Sequence, residues 1–424
     1  MHSRPLARSL MTASAQTASP SGPITDGERA EVLDALRGFA LLGIFITHVP
    51  DLSGYSFLAP AARSALDHTG LDAGLAAVLE FLIRGKFFSL FALLFGIGFA
   101  VQIDSAKRRG ANFSRHFVRR LIALLAIGLA HACLWYGDIL KDYALIGLLL
   151  LLTERWSMHK LVRATAVVLL LRVAWPAIMW AVIPVDPSPR SNANPVAEFS
   201  SMAGAFYGTD VIAVFNANLR LVRLKALQTI YEGRAVSVLG MFLIGAVVGR
   251  LRLYQNLTAH ANLIGRVFSV CAPVGVLGNA LLVFLHASTP DFPPTGRWVI
   301  EQCVFSIAVP AMALTFASGF TLLWMRDWQP VLHAFGPAGR MALTTYVSQT
   351  LIGIFFFYGV GLRLGNALGL AQLTAVAVAI FALQCVASRI WLQFFRFGPL
   401  EWLWRCLTYG TPVAMVRRSN AEGT

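Results

Sequence analysis

Along this chain the apolar residues fall in long blocks, and the polar residues gather in the short stretches between them. About ten blocks approach the roughly 20 residues that a helix needs to cross a hydrocarbon layer. They run at Asp34–Val49, Phe87–Ile103, Val118–Tyr136, Ile139–Leu152, Leu161–Ile183, Ala235–Leu251, Leu263–Leu285, Trp298–Met325, Met341–Val360 and Gln372–Trp391. Only helices and closed barrels satisfy their own backbone inside a bilayer, and uninterrupted apolar blocks of this length are helical. The pattern predicts an all-α fold, a polytopic membrane helix bundle with about ten transmembrane helices. A disordered N-terminal tail, 1–28, precedes a single transmembrane domain, 29–410, and a C-terminal tail covers 411–424. Within the domain, 184–234 reads as an outer loop with an amphipathic helix. Leu71–Arg84 is apolar too, but a crossing there would reverse the side of every later loop. It is expected as an interfacial or re-entrant helix.

Composition agrees with the blocks. The chain is 57% hydrophobic and 13% charged, against about 25% charged in soluble domains. The net charge of +14 would suit a nucleic-acid binder, but its distribution does not. Lys107, Arg108, Arg109, Arg115, Arg119 and Arg120 crowd one short stretch, and Arg155, Lys160 and Arg163 another. Stretches of the other parity, such as Pro50–Gly70, are nearly free of Lys and Arg. This is the asymmetry of cytoplasmic loops, so the expected partner is a lipid bilayer and no nucleic acid, with both termini cytoplasmic. The five cysteines stand singly and no CxxC occurs, so neither disulfides nor a structural zinc site are readable.

The chemistry concentrates in RGFALLGIFITH, Arg37 to His48. Eleven steps of about 100° bring Arg37 and His48 onto one helix face, roughly 16 Å apart along the axis. Ionisable groups facing lipid are costly, so this face belongs toward a protein interior or a wet cavity. At the same end as His48 the blocks place His131 and Asp138, separated by the short WYGD connection. A histidine beside a carboxylate has a fixed tautomer and raised basicity, which suits a general base. At the other end stand Arg37, Arg119 and Arg120, whose guanidinium forks suit phosphate. Asp34, three residues before Arg37, would hold that arginine in place. Thr344, Thr345, Ser348 and Gln349 form a polar stripe suited to helix–helix hydrogen bonding.

Five stretches together carry a family resemblance: LDALRGFALLGIF, KFFSLFALLFGIGFA, RRLIALLAIGLAHACLWYGDILKDYALIGLLLL, GRMALTTYVSQ and GPLEWLWRCLTYG. The chain resembles the YeiB-like bacterial integral membrane family, a domain-of-unknown-function family (418), from about Glu31 to Gly410. That family looks related to the transmembrane acyltransferase and acyltransferase-3 superfamily. The hallmark of that superfamily, an arginine, ten residues and a histidine in the first span, is matched by Arg37 and His48. Arg119 and Arg120 are the candidates for its arginine-rich motif. YeiB-like members commonly carry asparagine where His48 stands.

The resemblance implies a bacterial inner-membrane acyltransferase. An acyl group would move from a cytoplasmic acyl-CoA donor, with no metal, to an envelope glycan or small-molecule acceptor. His48, His131 and Asp138 would then be catalytic, and Arg37, Arg119 and Arg120 would bind the donor. The same buried charges would equally suit a small-solute exporter with a proton-relay core. Sidedness is testable at once. A periplasm-active reporter fused after Gly54 should be active, and after Arg109 or Met158 silent; activity at Arg109 would reverse the orientation.

Overall fold

The computed structural model describes residues 31–110, 112–182, 202, 204–286 and 295–417, and among them it is almost entirely helical. The tail 1–28 and most of the first part of the 184–234 loop lie outside the described residues. In chain order the helices are α1 (Glu31–Ser53), α2 (Pro60–Leu66), α3 (Asp72–Leu82), α4 (Lys86–Arg108) and α5 (Phe113–Leu134). Then follow α6 (Leu140–Leu151), α7 (Met158–Val182), α8 (Val211–Tyr231), α9 (Arg234–Arg250), α10 (Ala261–His286) and α11 (Gly296–Trp324). Two short helices, α12 (Gln329–His333) and α13 (Gly336–Arg340), lead into α14 (Ala342–Phe357), α15 (Leu370–Phe394) and α16 (Pro399–Tyr409).

A helix stands at each of the ten expected positions. Among the described residues seven helical stretches are long and apolar enough to cross a membrane, and α8 with α9, bent by 66°, makes up to eight. The helices at the other two expected positions, α6 with 12 residues and α14 with 16, are shorter than a full crossing. The apolar stretch from Leu71 does not form a re-entrant loop. α3 and α4 together make one 37-residue helical stretch, broken only around Gly85, where the backbone turns left-handed at φ 78°. The start of α3 is tied down from outside that stretch. Asp72 accepts from Leu370 N at 2.7 Å and Ala371 N at 2.9 Å, closing the open amides of α15. The amphipathic segment expected in the outer loop is α8. It covers one end of the bundle, with Ala217, Asn218 and Leu221 buried and Asn218 Nδ2 donating to Ala132 O of α5 at 2.5 Å.

The sequence of α1 explains its place in the middle. Of its apolar window 72% is buried, against 17% for α7 and α10, so α1 is the axis and α7 and α10 face lipid. Small residues let other backbones reach it. A Cβ on Gly38 would sit 2.0 Å from Phe335 O, and one on Gly339 of α13 would sit 1.8 Å from Asp34 O. That contact seats Arg340 beside the first turns of α1. Gly339→Val should therefore cost more than the 1–3 kcal/mol typical of overpacking, about the scale on which folded protein is lost. Gly265→Val, on open surface of α10, should melt near wild type in detergent. Equal melting of the two variants would mean that α13 is not held against α1.

Candidate functional site

One face of α1 borders an internal cavity of about 250 Å³. Its walls are largely apolar, from Leu41, Ile44, Phe91, Leu94, Leu124 and Leu140. Its two ends differ in chemistry. At one end Arg37, Arg120, Arg340 and Arg405 line it together with Asp34 and Glu401. At the other, Ile139, Tyr143 and Tyr346 do.

Local interactions place each arginine. Asp34 Oδ1 accepts from Arg37 Nη1 at 2.6 Å, as the three-residue spacing predicts. The Arg120 guanidinium lies 3.7 Å from the Trp404 ring centre, and Trp404 Nε1 donates back to Arg120 O at 2.8 Å. Trp404 belongs to α16, a short amphipathic helix whose position depends on Glu401. That carboxylate accepts from Leu343 N at 2.6 Å, Thr344 N at 3.1 Å and Thr344 Oγ1 at 2.6 Å. It thereby caps α14, whose first residues have no cap of their own. Arg119 points elsewhere. It is exposed, beside Gly410, and lines no part of the cavity.

The opposite end is built by a loop that dips into the bundle. Between α5 and α6 the backbone folds inward, so that Trp135 and Tyr136 are 0% and 1% exposed. The turn requires glycine at 137, because a Cβ there would meet the Trp135 ring at 2.3 Å. Asp138 is carried inside by this fold. Its Oδ1 lies 2.8 Å from His131 Nδ1, its Oδ2 accepts from Lys141 N at 2.9 Å, and its carbonyl accepts from Lys141 Nζ at 2.6 Å. A carboxylate can only accept, so Nδ1 carries the proton of this bond, and Nε2 is the ring nitrogen left to other partners. That Nε2 is buried and has no partner. His48 completes the group. Its ring packs edge-on against Trp135 at 4.5 Å and against Tyr346 at 6.0 Å. Tyr346 also packs on His131 at 5.1 Å, so its ring stands between the cavity and both histidines.

Of the six residues singled out in the sequence, the structure brings His48, His131 and Asp138 together, and Arg37 with Arg120, leaving Arg119 outside. Arg340, Glu401, Arg405 and Tyr346 were not singled out. They come from segments some three hundred residues away; the polar stripe starting at Thr344 and the family-resembling stretches GRMALTTYVSQ and GPLEWLWRCLTYG run through those segments but gave these four residues no role. The stripe itself does bond between helices, through Gln349 to Gln384 at 3.2 Å and Gln384 to Ser348 at 2.8 Å.

Burial pushes the Glu401 carboxyl above its ordinary value, against the pull of the bonds from Thr344 and Leu343. A raised folded-state pKa stabilises the fold below the unfolded value of about 4.3, and that contribution is lost as pH rises through the folded value. Glu401→Gln removes this titration and keeps the cap. The melting temperature of wild type relative to the variant should fall from pH 4 towards neutrality. A difference that does not change with pH would mean an unperturbed carboxyl.

Comparison with known proteins identifies the kind of chain that carries this site. Residues 248–411 match the model of a protein family of unknown function, DUF418. The chain is 30% identical over 405 residues to the uncharacterized protein YxaH of Bacillus subtilis (strain 168), covering 91% of this chain and 96% of that one. It is 30% identical over 401 residues to the uncharacterized protein YeiB of Escherichia coli (strain K12), covering 90% and 96%. An uncharacterized 39.9 kDa protein from the amylase 3' region of Bacillus acidopullulyticus is 26% identical over 414 residues, covering 94% and 99%. No solved structure matches. At this identity over nearly the whole of both chains, the protein is a member of the YeiB-like DUF418 family of multi-pass helical membrane proteins.

Proposed function

We propose that this protein is a membrane acyltransferase that takes an acyl group from a cytoplasmic acyl-CoA and delivers it to an envelope acceptor, a glycan or small-molecule hydroxyl or amine. The supporting observation is a single cavity with arginines at one end and, one side chain beyond its other end, a His–Asp pair with a free imidazole nitrogen. Arg37 and Arg120 would face the donor's phosphates, with Arg340 and Arg405 beside them. The apolar walls would accept the pantetheine arm. The reading sets the arginine end toward the cytoplasm of a bacterial inner membrane, as the charge asymmetry of the loops does.

In this mechanism His131 Nε2 takes the proton of the acceptor O–H or N–H as that atom attacks the thioester carbonyl. Asp138 holds the imidazole in the required tautomer and stabilises the imidazolium. The C–S bond breaks, and His131 returns its proton to the departing thiolate. Tyr346 must turn aside for the thioester to meet His131. Its hydroxyl accepts one 3.3 Å bond from Ile139 N and donates to no atom of the described residues, so it is available to the carbonyl oxygen. His48 lies where an acceptor arriving at that end would be oriented. The resemblance of the Arg37–His48 spacing to the acyltransferase-3 hallmark supports the same reading.

A solute exporter is the second reading, favoured by Tyr346 closing the cavity at one end as a gate would. Purified protein with acyl-CoA separates the two, because only the enzyme releases free thiol. His131→Asn should lower thiol release by about 10²–10⁴-fold with melting near wild type, and Asp138→Asn should do nearly the same through the wrong tautomer. His48→Asn should act mainly on the acceptor's KM. Arg120→Ala should weaken donor binding at least tenfold, and Arg119→Ala should not. Undiminished release in His131→Asn would remove it as the base, and no release from wild type would leave the exporter.

A further inference from the structure

α7 is otherwise a lipid-facing helix, with Leu170, Leu171 and Trp180 at 69%, 40% and 49% exposure. Yet it carries Arg172, which is 3% exposed. Arg172 Nε donates to Ser237 Oγ of α9 at 2.6 Å, and Nη1 is buried without a partner among the described residues. Among the described residues no carboxylate forms an ion pair with it. Glu232 is the carboxylate whose charge reaches it, but Glu232 is already engaged by Arg234 at 3.1 Å and Gln228 at 2.5 Å. A guanidinium stays charged under any ordinary condition, and a buried charge without a counter-charge is among the costliest features a fold can hold.

A second unanswered donor lies at the same junction. The Tyr231 hydroxyl is buried and has no partner among the described residues. Its ring stacks on Trp298 of α11 at 5.0 Å, and its carbonyl accepts at 3.2 Å from Trp175, one turn along α7 from Arg172. Ser306 of α11 donates to Arg172 O at 3.3 Å and closes the group. The junction sits just below the 66° break between α8 and α9. Along α9, Ser237 stands roughly 20 Å from Arg250 at the other end, so Arg172 is within snorkelling reach of the nearer interface. None of these residues lines the cavity beside α1.

We propose that Arg172 and Tyr231 form an anion site for a phosphate group, reached from the lipid side between α7, α9 and α11. The guanidinium fork matches two oxygens of a phosphate, and the phenol supplies a third donor. The phosphate belongs either to a lipid headgroup or to free inorganic phosphate. The site does not depend on acyl transfer.

The test uses the full chain, delipidated in detergent, melted with phosphatidylglycerol, with diacylglycerol of the same chains, and with inorganic phosphate. Stabilisation by phosphatidylglycerol and not by diacylglycerol identifies a lipid headgroup; stabilisation by inorganic phosphate identifies the free ion. In either case Arg172→Met should abolish the increment, and Tyr231→Phe should weaken the apparent affinity about tenfold or more. Without ligand, Arg172→Met should melt no lower than wild type, because it removes an uncompensated charge. The proposal fails if neither phosphate source stabilises wild type, or if Arg172→Met keeps the increment. It also fails if Arg172→Met and Arg172→Gln both melt far below wild type without ligand, which would make Arg172 a structural hydrogen bonder.

Discussion

A polar group at bilayer depth must be answered by another protein group, since lipid offers no hydrogen bond in return. Much of the architecture follows from that constraint. The carboxylates that enter the bundle are each held by a backbone or a cation: Asp34 by Arg37, Asp138 by His131 and Lys141, and Glu401 by the start of α14. Asp72 does for α15 what Glu401 does for α14. In both cases a carboxylate from a distant helix answers two amides of a helix's first turn that no local side chain answers. These carboxylates therefore act as ties between segments far apart in the chain, and they fix which helices are neighbours where apolar packing against lipid-like surroundings has little directional preference.

The same constraint makes the unanswered groups informative. A loop that dips among helices is tolerated only where protein surrounds it, and 135–139 meets this by burying two aromatic rings and handing Asp138 to His131 and Lys141. Satisfying Asp138 on both oxygens leaves His131 Nε2 without a partner among the described residues. A core histidine in a purely structural role would be expected to bond through both nitrogens, as buried polar groups generally do. The arrangement is thus complete on the carboxylate side and open on the imidazole side.

Most of the bundle was legible in the sequence because hydrophobic length is a local property. Ten blocks gave ten helices, and the spacing from Arg37 to His48 placed both side chains along one path. His131 and Asp138 were legible together because only six residues of chain lie between them. What escaped was either non-local or a matter of bend angle. Glu401, Arg405 and Tyr346 reach the cavity through contacts across some three hundred residues, which no periodicity records. Arg119 and Arg120 are adjacent in sequence and so point about 100° apart, and only the Trp404 contact decides which one faces inward. The stretch from Leu71 reads from sequence as an interfacial or re-entrant helix because sidedness forbids a crossing there. The structure meets the same rule differently, by extending α4 beyond the thickness of the bilayer core: at about 1.5 Å per residue the 37-residue stretch is far longer than a ~30 Å hydrocarbon layer.

Burial also decides which parts can move. α1 is enclosed by its neighbours and pinned where Gly38 and Gly339 bring backbones into contact, so displacing it would break packing along its whole length. Tyr346 is held differently. Its ring is buried, yet its hydroxyl has a single long bond, and its neighbours His48 and Trp135 are rings that can slide without leaving a carboxylate unpaired. At the same end α8 is joined to α5 through Asn218, whose Oδ1 is itself unpartnered. Local opening follows the elements with the fewest buried contacts and the weakest ties. By that measure the Tyr346 ring and α8 are the most lightly tied parts of the site, and the arginine end, held by Glu401 and Trp404, is the most firmly tied.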